Sequence, residues 1–185
     1  ASAGVAIPPA EKFGTGSRLT SSPAVAGGLV FFGSFDGNFY AVEEAGGGLR
    51  WKFETEGERR WAARNLHGMH PGGEIASDAW DFYLSSPAVS GGTVYFGSGD
   101  GCVYALDAAS GKLRWKFRTG SVVHASPAIE GGTVFIGSWD SGLYALEAAS
   151  GKLKWKLQTG TDPQIGNQQG FQSSPAVVNG IVYSG

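Results

Sequence analysis

Apolar residues in this chain fall in short runs broken by glycine-rich stretches, and few positions follow the helical period. In Trp115-Lys116-Phe117-Arg118-Thr119 the bulky apolar residues take one face of an extended chain and the cations the other, which predicts a strand. Runs ending in glycine recur as VFFG to Gly33, VYFG to Gly97, VFIG to Gly137 and VYSG to Gly185. Each follows a Ser-Pro-Ala start, at Ser22, Ser86, Ser126 and Ser174, and a glycine-rich turn.

Three of these units continue through FDGNFYAV, GDGCVYAL and WDSGLYAL to Trp51-Lys52-Phe53, Trp115-Lys116-Phe117 and Trp155-Lys156-Leu157. Each unit holds four short apolar runs, and the undisturbed spacing from Ser86 to Ser126 is 40 residues, the size of a four-stranded propeller blade. Asp-Gly at 36–37 and 100–101 predicts a two-residue hairpin turn with positive φ at both central residues, and Asp140-Ser141-Gly142 takes the same place. Gly27-Gly28, Gly91-Gly92 and Gly131-Gly132 recur with the blades, so they are hairpin turns and not nucleotide cradles. The repeated serines of Ser-Ser-Pro are architectural for the same reason.

One twisted sheet of four strands leaves both faces open, so neighbouring sheets must stack. Trp51, Trp115 and Trp155 are then docking residues between blades. The expected fold is an all-β propeller of four-stranded antiparallel blades, with residues 1–185 one domain or blade set and 58–84 an insert between blades. The fourth unit reaches Gly185 after two runs, while Gly4-Val5-Ala6-Ile7 and Lys12-Phe13-Gly14-Thr15-Gly16 resemble the other half. That predicts about four blades with one shared between the termini. Closure within one chain, a homodimeric ring of eight blades and a fragment of a longer propeller all remain open.

Composition agrees with many strands and tight turns: Gly 31, Phe 11, Tyr 6 and Trp 6. Lys plus Arg number 14 against 16 Asp plus Glu, with no concentrated basic stretch, which disfavours nucleic acid as a partner. No apolar run is long enough to insert in a bilayer as a helix. The lone Cys102 has no intrachain disulfide partner and reads as a small buried hydrophobe.

The stretch from Tyr104-Ala105-Leu106-Asp107 through Ser110-Gly111 to Trp115, and its partner from Tyr144 to Trp155, resemble the tryptophan-docking motif of pyrroloquinoline-quinone (PQQ) type propeller repeats. The first copy, from Ala41 to Trp51, has Gly46 where Ser or Thr is expected. Families sharing the repeat include quinoprotein alcohol dehydrogenases and the lipoprotein scaffold of the bacterial outer-membrane assembly machine, so the resemblance implies a periplasmic or other extracytoplasmic setting. In the dehydrogenases it implies PQQ with Ca²⁺ on the ring axis, a catalytic aspartate and often an adjacent pair of cysteines. This chain lacks the cysteine pair and shows no aspartate that aligns with the catalytic one, so the fold does not carry the activity.

The spacing from Ser22 to Ser86 is 64 residues, which marks 58–84 as the most individual segment. Three readings compete for it. His67 and His70 with Glu74, Asp78 or Asp81 are suitable metal ligands at a spacing that matches no strong pattern. Arg59, Arg60 and Arg64 beside Trp61 suit an anion or protein contact, because Arg and Trp favour interfaces. In the third reading Trp61, Trp80, Phe82 and Tyr83 plug the ring or a dimer seam, and this one carries the most weight. A second irregularity, Thr161 to Gln172, is rich in Gln and Asn, and His124 precedes a first strand as a structural residue.

No residues form a recognised catalytic arrangement, and no catalytic, cofactor or metal residue is assigned. The sequence favours a non-catalytic binding or assembly module, with a protein partner or self-association through Arg59, Arg60, Trp61, Arg64, His67 and His70. The rival is a PQQ-dependent dehydrogenase or a PQQ-binding protein with Ca²⁺.

Overall fold

A computed structural model describes residues 14–15, 17–19, 21–63, 71–78, 85–159, 171 and 173–184; for 58–63 and 71–78 it describes the backbone course. Among these residues the regular structure is all β. The first sheet comprises β1 (Ala24–Ala26), β2 (Leu29–Gly33), β3 (Asn38–Glu43) and β4 (Leu49–Glu54). After β5 (Glu58–Ala63) and β6 (Pro71–Asp78) comes a second, of β7 (Ala88–Ser90), β8 (Thr93–Gly97), β9 (Cys102–Asp107) and β10 (Leu113–Arg118). The third holds β11 (Ala128–Glu130), β12 (Thr133–Ser138), β13 (Gly142–Glu147) and β14 (Leu153–Gln158), and β15 (Ala176–Val178) pairs with β16 (Ile181–Tyr183). Each four-stranded sheet is an antiparallel meander in chain order, the arrangement of a propeller blade.

Register explains the repeat. Ala24, Phe31, Ala41 and Trp51 lie opposite one another across the first blade, as do Ala88, Tyr95, Ala105 and Trp115 across the second. Alanine beside each large ring leaves room for it, and the Phe31–Trp51 and Tyr95–Trp115 centroids are both 5.8 Å apart. These rows press against the next blade, so the core lies in the seams. Phe31, Phe39, Ala41 and Trp51 are buried with Val94, Phe96, Cys102, Tyr104 and Leu106, and a second cluster repeats this around Trp115 and Ile136.

The turns divide into two kinds. Gly27-Gly28 (φ 59° and 75°), Gly91-Gly92, Gly131-Gly132 and Asn179-Gly180 have positive φ at both positions, as a two-residue hairpin requires. The Asp-Gly turns depart from the expectation: only Gly37 (φ 78°) and Gly101 (φ 84°) are left-handed, and Asp36 and Asp100 are not. Ser34 N–H donates to Asn38 O (3.0 Å) and Gly37 N–H to Ser34 O (3.1 Å), so a three-residue loop closes the hairpin. The aspartate's role is as an acceptor: Asp36 Oδ1 takes the Asn38 N–H at 3.0 Å and Oδ2 the Tyr40 hydroxyl at 2.7 Å.

Three links join successive blades. Ser22 N–H donates to Ser86 Oγ (2.9 Å), Ser86 N–H to Ser126 Oγ (3.0 Å) and Ser126 N–H to Ser174 Oγ (2.9 Å), a relay along the first strands. Trp51 Nε1–H donates to Ala108 O (3.0 Å) and Trp115 Nε1–H to Ala148 O (2.9 Å). Each indole lies over a left-handed glycine of that same turn, Gly111 (φ 70°) or Gly151 (φ 71°), where a β-carbon would fall 2.6 or 2.7 Å from the ring. Third, Glu56 N–H donates to Asp100 Oδ2 (3.1 Å) and Gly120 N–H to Asp140 Oδ2 (2.9 Å).

Trp155 keeps the same partner in its own blade, Phe135 at 5.8 Å, yet is 43 % exposed where Trp51 and Trp115 are 9 % and 8 % exposed. Trp51 and Trp115 thus each touch the following blade, whereas Trp155 is largely exposed. The hairpin that would receive the third ring, equivalent to β9–β10 or β13–β14, is not among the described strands.

Candidate functional site

Because the strands run alternately up and down, the β1–β2 and β3–β4 turns lie at one end of each blade. The β2–β3 turns and the links to the next blade lie at the other. Hydrogen bonds confirm the second grouping: Val123 N–H donates to Ser98 O, Trp139 N–H to Val122 O and Phe171 N–H to Ser138 O, at 3.0 to 3.1 Å. Phe171 lies at this end, and the chain enters β5 from the β4 terminus found there, so this end is the candidate site.

The link after β4 contains a hairpin. β5 and β6 pair antiparallel with Glu58 opposite Asp78, Arg59 opposite Ser77, Arg60 opposite Ala76 and Trp61 opposite Ile75, then a shift before Ala63. Arg59, Arg60 and Trp61 therefore sit at consecutive positions of one strand. Arg64, His67 and His70 lie outside the described residues, as do Trp80, Phe82, Tyr83 and the amides from Gln164 to Gln169.

Beside the start of this hairpin, Glu56 bridges two blades. Its carboxylate accepts from Lys116 Nζ and from Arg118 Nη2 (2.6 Å), and Arg118 Nη1 also donates to Asp100 O (3.2 Å). Lys116 and Arg118 reach the same carboxylate because residues two apart on β10 share a face. The Lys116 ammonium lowers the Glu56 pKa, against the opposing effect of burial and with help from Arg118. Asp100, buried beneath, accepts from Tyr104 OH (2.5 Å) and Cys102 N–H (2.7 Å). Burial first, then the Asp100 charge, pushes the Tyr104 phenol up and the Cys102 thiol up to about 12.

Glu56, Asp100 and Cys102 bring two carboxylate oxygens and a sulfur within 4.8 Å of one another. The set does not fit calcium. A neutral thiol is a poor ligand for a hard cation, and both carboxylates are held by donors of the protein. This cluster is a seam between blades. The third blade repeats it in part: Asp140 accepts from Tyr144 OH and lies 3.4 Å from Lys156 Nζ. Burial raises the Asp140 pKa, but Tyr144, the Gly120 N–H, Lys156 and the Gly142 N–H outweigh it and hold the carboxyl below its ordinary value.

His124 lies in the link to the third blade, edge-on to Trp139 with centroids 5.1 Å apart. Burial lowers its pKa to about 4, so the ring is neutral at pH 7. Sequence reasoning missed the Asp–Tyr pairs and the serine relay as interactions. The first had a signal in the spacing Asp36/Tyr40, Asp100/Tyr104 and Asp140/Tyr144, and the second in the recurring serine before each proline.

A family model described as outer membrane protein assembly factor BamB matches residues 40–185. The chain belongs to this family. The BamB-type chain is similar in structure to BamB from Moraxella catarrhalis, with TM-score 0.66 and 20 % identity over 93 % of this chain and 45 % of that one. It is also similar to the quinohemoprotein alcohol dehydrogenase ADHIIG from Pseudomonas putida HK5, with TM-score 0.67 and 23 % identity over 91 % of this chain and 28 % of that one. A serine/threonine-protein kinase, AfsK of Streptomyces griseus, is 37 % identical over 79 residues, 43 % of this chain and 8 % of the kinase. This BamB-type chain thus spans less than half the length of each of these proteins.

Proposed function

We propose that this BamB-type chain is a non-catalytic binding or assembly module, working outside the cytoplasm, that presents the end of its blades bearing the 58–84 insert to a protein partner. The observation that carries this reading is the β5–β6 hairpin, which places Arg59, Arg60 and Trp61 consecutively on a strand added to the repeat. Arg and Trp concentrate binding energy at interfaces. The polar residues beside the hairpin, Glu56, Asp100, Lys116 and Arg118, are committed to joining blades, so recognition falls to the insert. Among known relatives, the matching family is named for outer membrane protein assembly, which supports an extracytoplasmic protein partner.

No quinone or calcium is required by this reading. The test compares the chain with a variant carrying Arg59→Ala, Arg60→Ala and Trp61→Ala. Both are immobilised and exposed to an extracytoplasmic extract, and both are titrated with PQQ and Ca²⁺. The expected result is loss of specific protein retention in the variant at unchanged thermal unfolding, with no quinone absorbance shift and no dye-coupled alcohol oxidation in either protein. Saturable PQQ binding with turnover would overturn the reading, and so would equal retention by both proteins.

A further inference from the structure

The turns that join the first and second strands of successive sheets are built alike, with one difference in chemistry. Three are Gly27-Gly28, Gly91-Gly92 and Gly131-Gly132; the next is Asn179-Gly180, left-handed at both positions like the others. Asparagine suits the first position because its short polar side chain tolerates positive φ. It also sets a side-chain amide beside the backbone nitrogen of a residue that has no side chain to hinder attack. Asn179-Gly180 is the sole Asn-Gly pair in the sequence.

The nitrogen of this pair is held by a carboxylate. Gly180 N–H donates at 2.7 Å to Oε2 of Glu130, which ends the first strand of the third blade. That place is taken by Ala26 in the first blade and Ser90 in the second, neither of which carries a carboxylate. The turn that contains an amide is thus also the turn that lies against a base, at a distance suited to taking the proton. Asn179 and Gly180 are exposed, as are the paired glycines of the other three turns, so water reaches the site. Each of these turns is closed by a first strand with only three residue pairs, so it opens at small cost when the peptide must rotate.

We propose that Asn179 is a self-modification site, converted to aspartate and isoaspartate with Glu130 as the base. The Gly180 nitrogen, its proton drawn toward Glu130, attacks Asn179 Cγ. The new N–C bond closes a five-membered succinimide, the Cγ–Nδ2 bond breaks, and ammonia leaves with the transferred proton. Water then adds to one ring carbonyl and breaks that carbon's bond to the Gly180 nitrogen, which regains a proton. Opening at Cγ gives aspartate, and opening at the main-chain carbonyl gives isoaspartate. Water is the only other reactant, and nothing is oxidised or reduced. Either product places a new carboxylate beside Glu130, and isoaspartate also lengthens the backbone of a two-residue turn, so the link between the third blade and the β15–β16 pair loosens.

This proposal is independent of the partner reading above. The full chain is stored in mildly alkaline buffer, and the peptide spanning Asn179 is followed by mass spectrometry and by isoaspartate-specific methyl transfer. The expected result is conversion at Asn179, with isoaspartate among the products. Asn38, which precedes Phe39 and donates from its amide to Asp36 O at 3.2 Å, should stay unchanged. Glu130→Gln keeps an acceptor but loses the base, and should slow the conversion about tenfold; a carboxylate is poorly matched to an amide proton, so the effect is smaller than that of a well-matched base. In urea the two proteins should convert at the same rate, because the carboxylate is no longer held on the nitrogen. Retention of the Asn179 amide for as long as that of Asn38 would overturn the proposal. So would a folded Glu130→Gln chain that converts as fast as wild type or faster, or a difference between the two that persists in urea.

Discussion

Gly111 and Gly47 occupy the same turn in successive blades with φ of 70° and 69°, but only Gly111 lies under an indole. Replacing either by alanine imposes the left-handed conformation on a residue with a β-carbon, at about 1–2 kcal/mol. At Gly47 nothing described lies within 4 Å, so that is the whole cost expected. At Gly111 the new carbon meets Trp51 Cδ2 at 2.6 Å, Cε3 at 2.8 Å and Cγ at 2.9 Å. Ordinary contact requires the ring to retreat by about 1 Å. The Trp51 Nε1–Ala108 O bond, now 3.0 Å, then passes beyond hydrogen-bonding range, and stranding a mostly buried donor costs about 1–3 kcal/mol. Gly111→Ala should therefore destabilise the protein by about 2–5 kcal/mol, about 1–3 kcal/mol more than Gly47→Ala. Urea unfolding followed by circular dichroism and tryptophan fluorescence measures both. In a Trp51→Ala background the excess should vanish, because the clash is with that ring. Equal losses for the two glycine variants, within about 0.5 kcal/mol, would refute the view that indole seating on glycine holds the seams together.

Ser126→Ala removes the acceptor of the Ser86 N–H and should cost about 1 kcal/mol by urea unfolding, whereas a neutral result would make the relay decorative. Asp100→Ala strands the Tyr104 hydroxyl and the Cys102 N–H and unlatches Glu56, so a loss of about 3 kcal/mol is expected; a loss below about 1 kcal/mol would show that water replaces the carboxylate. His124 has a folded pKa of about 4, below its unfolded value of 6.5, so between these values the unfolded chain binds a proton that the fold excludes. Stability should fall as pH drops through that window, by up to about 3 kcal/mol, and His124→Phe should flatten this part of the urea-midpoint profile; parallel profiles would exclude it. Glu56→Gln should cost under about 1 kcal/mol, because the ion pairs are half exposed, and the difference from wild type should disappear in 1 M NaCl, about 3 Å of screening length.

The blade was legible because its determinants are local. Period-two alternation in Trp115 to Thr119, the Gly-Gly turns and the recurring Ser-Pro-Ala start each depend on residues near one another in the chain, and β10, β8 and β7 follow from them. The Asp-Gly turns show the limit of such reading. The dipeptide predicted a two-residue loop, but Ser34 and Asn38 close a three-residue one in which Asp36 serves Tyr40, a choice made by hydrogen bonds that composition does not display. In the 58–84 insert, charge and aromatic content singled out Arg59, Arg60 and Trp61. Their pairing with Ser77, Ala76 and Ile75 was not foreseen, because the insert has no second copy with which to compare it.

Chain order and spacing were enough to determine that four-stranded antiparallel blades recur along the chain, since a motif repeated at a regular interval must solve the same burial problem each time. Which tryptophans are covered could not be read that way. Trp51, Trp115 and Trp155 have near-identical neighbours in sequence, and their exposures of 9 %, 8 % and 43 % differ because burial depends on the blade that comes next. The same holds for Glu56, whose cations Lys116 and Arg118 lie some 60 residues onward on another sheet. Local sequence sets how a strand pairs and turns, whereas the environment of a side chain in a seam is supplied by a surface distant in the chain and exists only once the blades have docked.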